Sequence, residues 1–185
     1  MKTRTTLSIL MVIGFLVVGC QVPDMTQSPP LTYPKDLKIT YEWNTGPLPP
    51  KYHYSYEIVI QADGTGQFIY QQSYAGDDAP MPWVSTFTVP AEKINQLYQL
   101  LFTRNMMRTD WTRRDPLIGG SSSVIQITAR GSAFSIPIDT LKNEKDKIDS
   151  AEISDWIKTL VPKGIWDELA NRRHQIDAAT DAPVQ

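Results

Sequence analysis

Residues 52–73, YHYSYEIVIQADGTGQFIYQQS, decide the fold. Two runs of β-branched and aromatic residues, alternating with polar ones, flank Asp63-Gly64, which is the pattern of a β-hairpin. The loop length fixes the register. A two-residue Asp63-Gly64 loop sets Ile60 opposite Gln67 and Glu57 opposite Tyr70, a poor pairing. A three-residue Ala62-Asp63-Gly64 loop, a type I turn closed by a left-handed glycine bulge, sets Ile58 opposite Phe68 and Tyr56 opposite Tyr70. One face then carries Tyr54, Tyr56, Ile58, Ile60, Phe68 and Tyr70; the other carries Ser55, Glu57, Gln67 and Gln71. A slip of one residue would turn the aromatic row into water, so the three-residue loop is expected.

The flanking sequence extends this pattern on both sides. Leu37, Ile39, Tyr41 and Trp43 alternate with Lys38, Thr40 and Glu42 and predict a strand with one buried face, ended by the loop of residues 44–50. Residues 74–82 form a second loop, and residues 83–89 a strand. Pro90 suits the first turn of a helix, and Ile94, Leu97, Tyr98 and Leu101 give it a single apolar stripe. Residues 106–111 read as a short strand and residues 112–122 as a loop. A second hairpin turns at Arg130-Gly131, with Thr128 opposite Ala133, Ile127 opposite Phe134 and Ile125 opposite Ile136; Pro137 marks its return strand as an edge. Residues 142–147 read as a charged connection. Asp149, with Glu152 three residues on, reads as the cap of a helix carrying Ile153, Trp156, Ile157 and Leu160. Pro162-Lys163-Gly164 breaks it, and a last helix runs to about His174. Hairpins with helices between them, rather than strand–helix–strand alternation, predict an α+β domain. Its mostly antiparallel sheet is built from two hairpins plus flanking strands, with two or three helices on one face.

The N-terminus addresses location. Lys2 and Arg4 precede an apolar run over residues 7–18, and Val17-Val18-Gly19-Cys20 ends it at the only cysteine of the chain. A dozen apolar residues is short for a membrane span, which takes ~20. The stretch resembles a bacterial lipoprotein signal peptide with its lipobox, although Val17 stands where leucine is more usual. That resemblance implies cleavage between Gly19 and Cys20 and lipidation of Cys20. It makes residues 1–19 the signal peptide, residues 20–36 a lipidated, proline-rich tether, residues 37–176 a single domain and residues 177–185 a flexible tail. Gln21 is not the aspartate that retains such proteins at the inner membrane. The implied location is the outer membrane facing the periplasm in a Gram-negative cell, and the outer face of the plasma membrane otherwise. Lipidation also accounts for a lone cysteine in an exported chain, which can form no internal disulfide.

Composition narrows the function. Removal of 19 residues from 185 leaves 166, enough for one domain with a real core. The net charge is −2, and loss of Lys2 and Arg4 takes it to −4. Charges are mixed and no Lys/Arg block occurs, so nucleic acid is not an expected partner.

Candidate chemistry is sparse. The two histidines, His53 and His174, lie far apart in sequence and at no metal-ligand spacing, and His53 reads as a surface residue. Gly119-Gly120-Ser121-Ser122-Ser123 lacks both the GxSxG context and the P-loop lysine; its glycines read as a tight turn. Asp77-Asp78 is too short for a calcium loop, and Asp63, Asp110 and Asp115 cannot be paired from sequence. No metal and no cofactor is implied. The aromatics Trp43, Tyr52, Tyr74 and Trp83 flank Gly/Pro-rich loops and are the candidate ligand-binding residues. The expectation is a lipid-anchored, non-enzymatic binding or assembly module of the cell envelope. Its partners would be membrane lipid through acylated Cys20 and an envelope glycan or protein. The alternatives are a glycan-binding module using these rings, and a hydrolase whose acids and serine meet only in the fold.

Overall fold

The computed structural model describes residues 32–50, 52–73, 80–115 and 119–180, with side chains to residue 175. Six strands form one open antiparallel sheet: β1 (Lys38–Asn44), β2 (Tyr54–Gln61), β3 (Thr65–Gln72), β4 (Trp83–Thr88), β5 (Ser122–Ala129) and β6 (Ser132–Ile136). Their order is β4-β3-β2-β1-β5-β6. Three helices complete the α+β domain: α1 (Ala91–Thr103), α2 (Glu144–Leu160) and α3 (Lys163–Thr180). The chain runs β1 to β4 as a meander. It then passes through α1, re-enters on the other side of β1 as β5, and finishes with α2 and α3.

Both hairpin registers are as the sequence predicts. Ile58 pairs with Phe68 and Tyr56 with Tyr70. Gly64, at φ 89°, donates its N–H to the Gln61 carbonyl and closes the three-residue turn. In the second hairpin Thr128 pairs with Ala133, Ile127 with Phe134 and Ile125 with Ile136. Arg130 (φ 54°) and Gly131 (φ 71°) are both left-handed, as a two-residue type I′ turn requires. Asp36 caps that turn: its carboxylate accepts the N–H groups of Arg130 (2.9 Å) and Gly131 (2.6 Å), and these bonds hold its pKa below the ordinary value. Tyr33 packs against the core. The folded part therefore starts a few residues before Leu37.

Alternation puts Ile39, Tyr41, Ile58, Ile60, Phe68, Ile125 and Ile127 on one face, all essentially buried, and the core lies between that face and the helices. α1 contributes Ile94, Leu97, Tyr98 and Leu101, α2 contributes Ile153 and Ile157, and α3 contributes Ile165 and Leu169. Trp166 is a wedge, its ring edge-on to Tyr56 (5.4 Å) and Phe68 (5.1 Å). The Arg172 and Arg173 guanidiniums lie over Trp83 (4.7 Å) and Tyr54 (4.3 Å), so α3 grips the sheet through rings and cations as well as aliphatic contact.

Three expectations change. Residues 106–111 form no strand. α1 ends in a left-handed residue, Asn105 (φ 53°), with Asn105 N–H bonded to Phe102 O and Met106 N–H returning to Leu101 O. This reversal buries Met106, and Trp111 is buried beneath the Arg108 guanidinium at 3.9 Å. The second helix starts at Glu144, not near Asp149. Asn143 caps it by accepting from the Lys145 and Asp146 N–H groups, so residues expected as a charged connection form its first turn. Asp149 is an interior residue, 2% exposed, paired with Arg104 at 3.4 Å and with Lys145. The third helix extends to Thr180, past the expected limit near His174.

Trp166→Ala should cost about 2–4 kcal/mol, since it removes the ring that fills the gap between Tyr56 and Phe68. Chemical denaturation read by far-UV circular dichroism checks this; a loss below ~0.5 kcal/mol would mean that α3 is not seated on these rings.

Candidate functional site

The sheet face away from the helices is polar and open. Near the end of the sheet formed by the C-terminus of β1 and the N-termini of β2 and β5, two loops stand over it and make a groove of about 1220 Å³. Glu57, Ser55 and Gln71 line it from the sheet, together with Glu42 and Val124. Gly46 and Pro47 line it from one loop, and residues 119–123 from the other.

A backbone contact holds the two loops together. Gly46 has φ +78°, and a Cβ built there would fall 1.7 Å from the Gly120 carbonyl oxygen, so only glycine fits. Asn44 ties the same two loops. Its Oδ1 accepts the Gly46 N–H (2.8 Å), and its Nδ2 donates to the Ser122 hydroxyl (2.6 Å). Gly119-Gly120 thus serves a tight turn, as its sequence implies, and also a close approach to Gly46 that no sequence spacing reveals.

Glu42 and Glu57 are directly opposed on adjacent strands, both turned to the groove. The Gln126 side chain donates to Glu42 at 2.7 Å. Burial raises the Glu57 pKa, repulsion by Glu42 adds to this, and Lys38 partly opposes it. Across the groove, the Ser123 amide and hydroxyl both donate to the Asp139 carboxylate, the hydroxyl at 3.2 Å. The Arg114 guanidinium donates to the Asp139 main-chain carbonyl at 3.0 Å. His53 also borders the groove and is 8% exposed, which corrects the reading of it as a surface residue. Its main-chain N–H donates to Pro49 O, and its carbonyl accepts from Ser73 N–H. His174 is exposed on α3. The hydrolase alternative asks for serine, acid and histidine in one cleft. Ser123, Asp139 and His53 all line this groove, with the serine hydroxyl bonded directly to the aspartate.

The aromatic candidates separate. Trp43 stacks on Tyr56 (5.2 Å) and meets Tyr54 (5.1 Å), so its ring lies on the helix side of the sheet, and it reaches the groove margin only through its place in β1. Trp83 packs on Phe68 at 5.7 Å beneath Arg172, away from the groove lining. Tyr52 is 49% exposed on the loop before β2. Tyr74 lies outside the described residues, as do Asp77-Asp78, Gly19 and Cys20. Among the described residues, no group of three or more His, Cys, Asp or Glu side chains is placed to hold a metal ion, and no helix is long and apolar enough to cross a membrane.

A raised Glu57 pKa has a definite sign. The folded state holds this proton more tightly than the unfolded chain, whose value is near the ordinary 4.5, so stability falls as pH rises through that value toward the folded one. Glu57→Gln should therefore raise Tm at pH 7, and the difference from the parent protein should vanish below about pH 4. Paired thermal melts across pH check it; an equal Tm difference at both ends would mean that the opposed carboxylates are not the cause.

No family model matches this sequence, and the search of curated proteins found no match.

Proposed function

We propose that this chain is a lipid-anchored cell-envelope protein whose folded domain is a non-catalytic binding module, with the groove on the open sheet face as its binding site. The observation that carries the binding assignment is the groove itself: a concave surface set with Glu57, Asn44 and Gln71, whose walls are fixed by the Gly46–Gly120 contact and by Asn44. The anchor rests on the basic start, the short apolar run and Val17-Val18-Gly19-Cys20. Two or three acyl chains on Cys20 would make attachment lasting, because each buried CH₂ contributes ~0.8 kcal/mol and a single chain holds only reversibly. The tether would lift the groove from the bilayer into reach of envelope components.

An envelope glycan is the ligand class that the lining favours. Asn44 and Gln71 offer carboxamides and Glu57 a carboxylate. Carboxamides and carboxylates bond the hydroxyls of polyols as donors and acceptors.

The experiment is co-sedimentation of the full chain with peptidoglycan and a panel of polysaccharides. Saturable binding is expected. Gln71→Ala should weaken it about tenfold, ~1.4 kcal/mol, and Trp83→Ala, outside the groove, should leave it unchanged. Equal loss in both variants, or no binding, would contradict the glycan assignment and direct the search to a protein partner. Turnover of the glycan during incubation would instead mark an enzyme. In the same strains Cys20→Ser should abolish lipid labelling and leave unprocessed precursor; normal processing would end the lipoprotein reading.

A further inference from the structure

The two edges of the sheet differ. β6 is five residues long and is followed directly by Pro137. β4 reads Trp83-Val84-Ser85-Thr86-Phe87-Thr88, with no charge, no proline and no bulge, the devices that normally keep an edge from pairing. Its outer side has no strand partner among the described residues.

The direction of its backbone groups can be worked out. Val89 N–H donates to Gly64 O at 2.8 Å, toward β3. N–H and C=O of one residue point the same way in a strand, and successive residues alternate. Trp83, Ser85 and Phe87 therefore bond inward to β3, and Val84, Thr86 and Thr88 point outward. The next outward positions on either side are Pro82 and Pro90, which have no N–H to offer. The outward row reads Pro82, Val84, Thr86, Thr88, Pro90, symmetric about Thr86 in its hydrogen-bonding capacity.

We infer that β4 pairs antiparallel with β4 of a second copy about a two-fold axis through Thr86, joining two six-stranded sheets into one of twelve strands. In this register Thr86 faces Thr86 and Val84 faces Thr88 twice, so every outward N–H and C=O is used. The pairing stops where proline meets proline. The facing side chains on the open side are all β-branched, and Val84, 52% exposed, gains cover from the partner's Thr88. With no charge on β4, the strand meets its own copy without repulsion. The rings on the helix side leave the edge clear. Phe87 lies over Gly66, where a Cβ would come within 2.4 Å of its ring, and Trp83 turns toward Phe68. The partner is thus an uncharged extended strand, and this chain supplies one that matches.

The test uses the full chain in its membrane. Thr86→Cys should give a covalent dimer on mild oxidation, because self-opposed residues bring their own Cα atoms within disulfide reach. Thr128→Cys, also exposed but distant from β4, and the parent chain should not. In detergent the parent should sediment as a dimer. Thr86→Lys, which sets two ammonium groups face to face, should sediment as a monomer with an unchanged far-UV spectrum. A monomeric parent at tens of micromolar would overturn the proposal. So would Thr86→Cys cross-linking no faster than Thr128→Cys, or a Thr86→Cys adduct to another protein in place of the dimer.

Discussion

β1 lies in the middle of the sheet, between β2 and β5, and its parity commits everything else. Tyr41 sits between Ile58 and Ile125, and Ile39 between Ile60 and Ile127. Once these residues face the helices, Thr40, Glu42 and Asn44 must face the other way, because strand side chains alternate strictly. The hydrophobic face and the groove are therefore two consequences of one register. A slip in β1 would cost the core its centre and leave the groove without its floor.

The helices are attached to that face by different means. α1 and α2 supply aliphatic side chains and are joined to each other by Arg104, which reaches the buried Asp149 and, at 2.8 Å, Glu152. A carboxylate 97–98% removed from water needs such partners, since burying it alone would be far too costly. α3 is held by Trp166 between two sheet rings and by guanidiniums over Trp83 and Tyr54. The aromatic content of the chain is largely spent here. Tyr56 shows this directly: burial, reinforced by neighbouring Tyr41, raises its phenol pKa far above the ordinary 10.0.

Much of the fold was legible because the sequence is locally consistent. Asp63-Gly64 and Arg130-Gly131 name their turns, and only one register at each sorts the apolar residues to one side. Helix ends were harder to read. The first turn of α2 carries no apolar residue, so a charged run hides Asn143 capping Lys145 and Asp146, and the Asp149/Glu152 spacing imitates a cap further on. Residues 106–111 form no strand, because the left-handed Asn105 turns Met106 back under α1. The groove was not legible at all. It depends on Gly46 meeting Gly120 and on Asn44 meeting Ser122, contacts between loops more than 70 residues apart that leave no local signal. His53 is also buried, at 8% exposure, beside the groove, which strand parity alone does not reveal.

One measurement tests the central role of β1: native-state hydrogen exchange resolved to single amides. If the register of β1 organises the domain, the amides shared by β1, β2 and β5 should exchange only through global unfolding. Those of β4 and of α3 should open at lower free energy. Protection centred on α3 or on the sheet edges, with β1 exchanging through local opening, would contradict the account.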